Sequence, residues 1–210
     1  MATEQQKFKE FEPQIRPWRS QLSSGHRPVQ ENWYATIKQT SMVRAWEEAI
    51  VDGMLQTADY ARHIFLHYAE LRNSPRDTDE AVLARIKRQE MLHQPGRKFH
   101  ILMWEAVLHA QICPPAVLAD QLDHLASVMD MDSLELGVVP FRAPLRIPAA
   151  NSFLILDDRV AVTEDWHAEL WLDDTDTIAT YSKVWNTLQE SAVYGAEARA
   201  LILKAREALR

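Results

Sequence analysis

The stretch from Gly53 to Leu92 constrains the fold of this chain most. Met54, Ala58, Ala61, Phe65 and Tyr68, widened by Leu55 and Ile64, recur at the i, i+4, i+7, i+11 spacing of a helix that turns one face to a core. Gly53, after Asp52, offers a bend without a Cβ into that helix. Asn73-Ser74-Pro75 interrupts the period, because proline cannot continue a helix and restricts the residue before it. A second helix is predicted from Asp77, capped by Asp77 or Thr78, with Asp79 and Glu80 in the first turn, where the helix dipole favours negative charge. Val82, Leu83, Ile86 and Leu92 form its expected buried side, and Pro95-Gly96 stops it. The two together read as an αα-hairpin.

Around this pair the chain alternates helices and short strands. Residues 1–28, with Pro13, Pro17 and Pro28, read as an arm anchored by Phe11 and Trp18, and residues 29–210 as one domain. A helix is expected from Val29 to Thr40, and SMVRAW at 41–46 as a short strand. KFHILMWE at 98–105 is apolar on both sides, which suits a strand covered on two faces. After Cys113-Pro114-Pro115 a helix carries Leu118, Leu122, Leu125 and Met129; strands follow at 133–139, 152–156 and 160–164, with another extended piece at 167–172. The proline-rich loop 141–151 is of the kind found over pockets. Asp173, Asp174 and Thr175 open a helix to about Ala192, and Gly195 separates it from a terminal helix. The fold class is therefore α+β, with the helix pair packed on a small, mainly antiparallel sheet.

Charge narrows the partners. A net charge of −7 and a pI near 5.6 speak against direct nucleic-acid contact, which needs a basic footprint. No stretch reaches membrane-spanning length, so no membrane partner is expected either. The single Cys113 excludes an internal disulfide and fits a reducing cytoplasm. Seven tryptophans indicate a large apolar core, pocket or interface. A homodimer is compatible with the sequence.

Several residues carry possible chemistry. Gln56 with Tyr60, and Arg85 with Gln89, are four apart on their helices; where those faces meet they make either an interhelical hydrogen-bond lattice or a ligand site. Trp104 and Glu105, at the end of the hydrophobic strand, extend the candidate site. A carboxylate there would have a raised pKa and could serve as a general acid or base, or accept hydrogen bonds from Arg85 or Arg88. If the chain is an enzyme, the first acid–base candidates are Glu105, Arg85, His100 and His109. No metal is expected: His63 and His67 have a two-histidine spacing, but Ile64 stands where the zinc signature needs glutamate. Asp173, Asp174 and Asp176 lack the glycine and distant glutamate of a calcium loop, so helix capping accounts for them better. No phosphate loop, dinucleotide fingerprint or serine elbow occurs, and no cofactor is expected.

Taken in order, GMLQTADYAR (53–62), RIKRQEML (85–92), the strand ending in Glu105, QLDHL (121–125), LELGVVPF (134–141) and SFLIL…VAVTE (152–164) resemble an actinobacterial domain of unknown function. That domain is carried C-terminal to an Xre-type helix-turn-helix in WhiJ-like, antitoxin-like regulators. The likeness covers about residues 18–205, with Asp52-Gly53-Met54 where the family usually has Pro-Gly-Leu. The helix-turn-helix is missing, since the residues before the likeness are too few and too proline-broken to form one. The resemblance implies a stand-alone regulatory or sensor-type domain that binds a small molecule or a partner protein. The alternative is an enzyme of specialised metabolism using the same pocket for acid–base or shape-driven cyclisation chemistry.

Overall fold

The computed structural model describes residues 14–209; Phe11 lies outside them. In chain order the elements are β1 (Gln14–Pro17), α1 (Trp18–Gln21), α2 (Arg27–Lys38), β2 (Met42–Glu47), α3 (Ala58–Arg72), α4 (Thr78–Gln89), β3 (Lys98–Trp104), α5 (Pro115–Val128), β4 (Leu134–Val139), β5 (Phe153–Leu156), β6 (Val160–Glu164), β7 (Ala168–Leu172), α6 (Thr175–Gln189) and α7 (Gly195–Glu207). The fold class is α+β, as expected.

The strands form one seven-stranded sheet in the order β1-β7-β6-β5-β2-β3-β4. β2, β3 and β4 run parallel, joined by helical crossovers, and the remaining pairings are antiparallel. β3 has a parallel strand on each side and is buried from Phe99 to Met103, which explains its apolar run on both faces. The β5–β6 hairpin closes through Asp157 and Asp158 at φ 52° and 54°, the two left-handed residues of a type I′ turn. Asp157 also ties the turn to β2 by accepting the Ser41 and Met42 N–H groups at 2.8 Å.

Alternation along the strands divides the core in two. Val43, Ala45, Ile101 and Met103 face α2, α3, α5 and α7, burying Trp33, Ile37, Tyr60, Leu118, Leu122 and Ile202. Trp46, Leu102, Phe153 and Ile155 face the other way, against Trp185 and Leu188 of α6. Full burial of one such side chain stabilises by about 1.5–3 kcal/mol. The 141–151 loop, expected over a pocket, covers this second face through Ala143, Ile147 and Ala149.

Three local expectations are corrected. The first helix starts at Ala58 rather than Met54, because Asp52 holds residues 52–55 in a turn: its carbonyl accepts Leu55 N–H at 2.9 Å and its carboxylate Met54 N–H at 2.7 Å. Thr57 then caps α3. The second helix packs on α2 and α3, not on the sheet. Val82 and Leu92 are buried as expected, but Leu83 and Ile86 are 70% and 36% exposed, and Ala81 and Arg88 are buried instead. Finally, Asp77 sits at the start of α4 without capping it. Its carboxylate accepts the N–H groups of His26 (2.8 Å) and Arg27 (2.7 Å), capping α2. Gly25, at φ 97°, leaves room for that carboxylate.

From Gln14 onward the segment read as an arm contributes to the sheet through β1, paired with β7. Trp18 is buried, with its indole N–H donating to the Asp165 carbonyl at 2.8 Å.

Candidate functional site

Register builds one end of the sheet into a polar floor. Trp46 lies opposite Phe153, and Phe153 opposite Thr163, so the next residues out, Glu47, Ser152 and Glu164, stand side by side where β2 and β6 end and β5 begins. Above them is a cavity of about 390 Å³. Trp18, Trp33, Phe65 and Tyr68 form its aromatic wall, Asp52, Gly53 and Gln56 one rim, and Arg85 and Arg88 of α4 another. The volume falls at the small end of the roughly 300–1,000 Å³ typical of ligand pockets.

The cavity is charged on both sides. Burial pushes the Glu47 carboxyl well up, with Asp52 beside it adding to the shift. Burial raises Asp52 as well. Glu164 is pushed up to about 7 by burial and the charge of Glu169, against the pull of the arginines. The Glu164 side chain is nonetheless exposed to solvent at the end of its strand, which screens that charge. The opposing groups shift the other way: burial and neighbouring Arg88 bring Arg85 down to about 9, burial lowers Arg88, and burial, with Arg72 and Arg85 nearby, holds His26 down to about 4.

Most of these charges have assigned partners. Arg85 donates to Gln56 Oε1 and, at 3.1 Å, to Gln30 Oε1, and its guanidinium lies 4.3 Å from the Phe65 ring centre. Arg72 stacks on Trp18 and Tyr68 at 4.5 and 4.7 Å. Arg88 differs. It is 6% exposed and, among the described residues, its guanidinium makes no hydrogen bond and no ion pair within 4.0 Å. Its Nη2 lies where a Cβ on Gly53 would sit, 2.4 Å away. Gly53 lies in the expected turn with a φ outside the left-handed region, and its missing Cβ also makes room for Arg88.

The residues singled out from sequence fall into two groups. Gln56, Tyr60, Arg85 and Gln89 come together. Gln89 Nε2 donates to the carbonyls of Gly53 (3.1 Å) and Gln56 (2.7 Å), Gln56 Nε2 to that of Val51 (2.6 Å), and Val51 N–H to the Tyr60 hydroxyl (3.4 Å). This lattice fixes the 51–57 segment; within it Gln56 and Arg85 also line the cavity. Gln121, buried on α5, completes it by accepting Thr57 N–H (2.7 Å) and donating to Leu55 C=O (2.8 Å).

Trp104 and Glu105 lie elsewhere. Trp104 packs with the second core and against Phe141. Glu105 accepts Phe141 N–H at 2.6 Å and sits 3.8 Å from His109, so its partner is neither Arg85 nor Arg88. His100 meets the Tyr194 hydroxyl at 2.9 Å and Glu135 at 3.3 Å on the α6 face. His67 Nε2 reaches the Ile112 carbonyl at 2.9 Å, Asp174 caps α6 through Thr177 N–H at 2.8 Å, and burial pushes the Cys113 thiol up. Sequence reasoning missed Glu47, Asp52, Glu164 and Arg88. The one signal for Arg88 was its helical spacing from Ala81 and Arg85, masked by the more apolar Leu83 and Ile86.

A family profile described as Domain of unknown function (DUF5753) matches residues 38–204. The chain belongs to the DUF5753 family. The matched span holds most of the cavity of this DUF5753 chain: the β2 end, the 51–57 lattice, both arginines of α4 and the β6 end. No curated protein matches the chain. Among solved structures it is similar to NucT from Helicobacter pylori, at 12% identity over 89% of this chain and 100% of that one, with a TM-score of 0.47. It is similar also to the phospholipase D family member Nuc from Salmonella typhimurium, at 10% identity, 88% and 97% coverage and a TM-score of 0.47. A third, TrmBL2, an archaeal chromatin protein, is 14% identical with a TM-score of 0.44, the match covering 93% of this chain and 57% of TrmBL2. No helix among the described residues is long and apolar enough to cross a membrane.

Proposed function

We propose that this DUF5753 chain is a regulatory, sensor-type domain that takes a small molecule into the cavity between α2, α3, α4 and the ends of β2 and β6. The observation that carries this reading is the Arg88 guanidinium, buried in an aromatic-walled cavity without a hydrogen-bond partner among the described residues. Buried charges are costly unless something satisfies them, and a ligand in the cavity does so. The sequence resemblance to domains that follow an Xre-type helix-turn-helix supports a regulatory setting. There, cavity occupancy would alter how a DNA-binding relative or a partner protein behaves. The net charge of −7 supports action without direct contact to nucleic acid. Native mass spectrometry on gently purified protein tests the reading. A retained small molecule that is lost in Arg88→Met supports it; a chain without added mass that captures only another protein sinks it in favour of an interaction module.

A second reading, an enzyme, draws on Glu164. A carboxyl held near 7 beside guanidinium groups is suited to general acid–base work at neutral pH. Turnover of the retained molecule, abolished by Glu164→Gln, would favour this reading over a sensor.

A further inference from the structure

Two opposite charges face the same cavity without touching. Arg88 on α4 and Glu164 at the end of β6 both line it, yet no hydrogen bond and no ion pair within 4.0 Å joins them; Arg88 is 6% exposed, with its Nε unpartnered among the described residues, and Glu164 is open to solvent. Each still senses the other's charge. In a protein interior, mobile opposite charges close to contact unless they are held apart. Here the scaffold holds them apart. Arg88 is seated against the bare backbone of Gly53, and Glu164 is set by its register beside Ser152 and Glu47. The remaining cavity cations are occupied: Arg85 by Gln30 and Gln56, Arg72 by the faces of Trp18 and Tyr68. On the acidic side Glu48, which also lines the cavity, keeps a buried carboxylate oxygen without a partner. The cavity thus offers a guanidinium without a hydrogen-bond partner among the described residues, a carboxylate side, and the rings of Trp33 and Phe65 in its lining.

We propose that the ligand is a small zwitterion of the amino-acid class with an aromatic or other flat apolar body. Its anionic group is held by Arg88, its ammonium group by Glu164 and Glu48, and its body lies against the Trp18–Trp33–Phe65 wall. The guanidinium fork matches a carboxylate bidentately. The carboxylates accept the ammonium protons, and the rings take the apolar part. This inference rests on the cavity being the ligand site.

Isothermal titration of the full chain with L-tryptophan, tryptamine, indole-3-propionate and indole tests it. These probes share one body and carry both charges, the cation alone, the anion alone or neither. L-Tryptophan is expected to bind at least about tenfold more tightly than each of the others, a difference of the size that one charged hydrogen bond contributes. Arg88→Met should weaken L-tryptophan to the level of tryptamine and leave tryptamine unchanged; Glu164→Gln should weaken it to the level of indole-3-propionate. Arg88→Met removes a buried charge that lacks a partner, so the fold should tolerate it, and melting curves check this. Gly53→Ala, which displaces the guanidinium while leaving it present, should repeat the Arg88→Met result. Indole or a singly charged probe binding as tightly as L-tryptophan overturns the zwitterion assignment and leaves the cavity reading standing. Binding of none of the four at millimolar concentration also overturns it. Only a chain that in addition retains no small molecule in native mass spectrometry brings down both.

Discussion

The guanidinium of Arg88 rests on the bare Cα of Gly53, in the space a Cβ would need: the two would lie 2.4 Å apart. A residue on α4 thereby dictates the residue allowed in a loop 35 positions earlier, at the mouth of the cavity. Gly53→Ala should push the flexible guanidinium aside with a stability cost under about 1 kcal/mol, while the molecule retained by the wild type is lost. Urea denaturation and native mass spectrometry on the same sample would check the two halves. A large loss of stability would show that the backbone, not the side chain, yields.

Asp77 caps α2 rather than the helix it begins, accepting the N–H groups of His26 and Arg27. Asp77→Ala should cost about 1–2 kcal/mol, the range for removing a helix cap. Exchange of the amide protons at the start of α2 should speed up while those of α4 keep their protection, and hydrogen-exchange mass spectrometry resolves the two helices.

Glu169, 1% exposed, accepts two indole N–H groups, from Trp33 at 3.0 Å and Trp171 at 2.8 Å. Glu169→Leu should destabilise by about 1–3 kcal/mol, because buried donors are left without acceptors. Glu169→Gln keeps a carbonyl acceptor and should cost less. Equal costs for both, measured by urea denaturation followed through tryptophan fluorescence, would show that the two indole bonds are not what Glu169 contributes.

The pH dependence of stability should carry the imprint of Glu164. Its ordinary value is 4.5, and in the folded chain burial pushes it up to about 7. Between these values the folded state holds more protons than the unfolded state, so this group makes stability fall as pH rises through the window. His26, lowered by burial from 6.5 to about 4, acts in the opposite direction, adding stability as pH rises. The difference between wild type and Glu164→Gln isolates the first effect. Glu164→Gln should melt higher than wild type at about pH 8, and the gap should close toward about pH 4. A gap independent of pH would show that Glu164 is not held near neutrality.

Periodicity made most elements readable, because helices and strands with one apolar face announce themselves through spacing alone. β3 was legible from an apolar run on two faces, the β5–β6 hairpin from Asp157-Asp158 between two apolar runs, and the α6 cap from Asp174. The polar pairs Gln56–Tyr60 and Arg85–Gln89 were legible for the same reason, since residues four apart share a helix face. Trp104 and Glu105 were read as neighbours of that patch because they end a buried strand. Alternation placed Trp104 on the other face of the sheet, and Glu105 turned to the Phe141 backbone. Ala81 and Arg88 were missed on α4 because hydrophobicity ranks Leu83 and Ile86 above alanine and arginine for burial. Facing carboxylates reverse that ranking at a charged cavity.

By itself, then, the sequence determined what depends on neighbours along the chain: most helices and strands, the α+β class and the polar faces of α3 and α4. The candidate site lay beyond it. Glu47, Asp52, Arg88 and Glu164 come from two strand ends, a loop and a helix, and none of them carries a local signature. They meet because strand register and the docking of α4 on α2 and α3 bring them around one space. Their charges count as a site only there, lining one cavity in which burial acts on each of them.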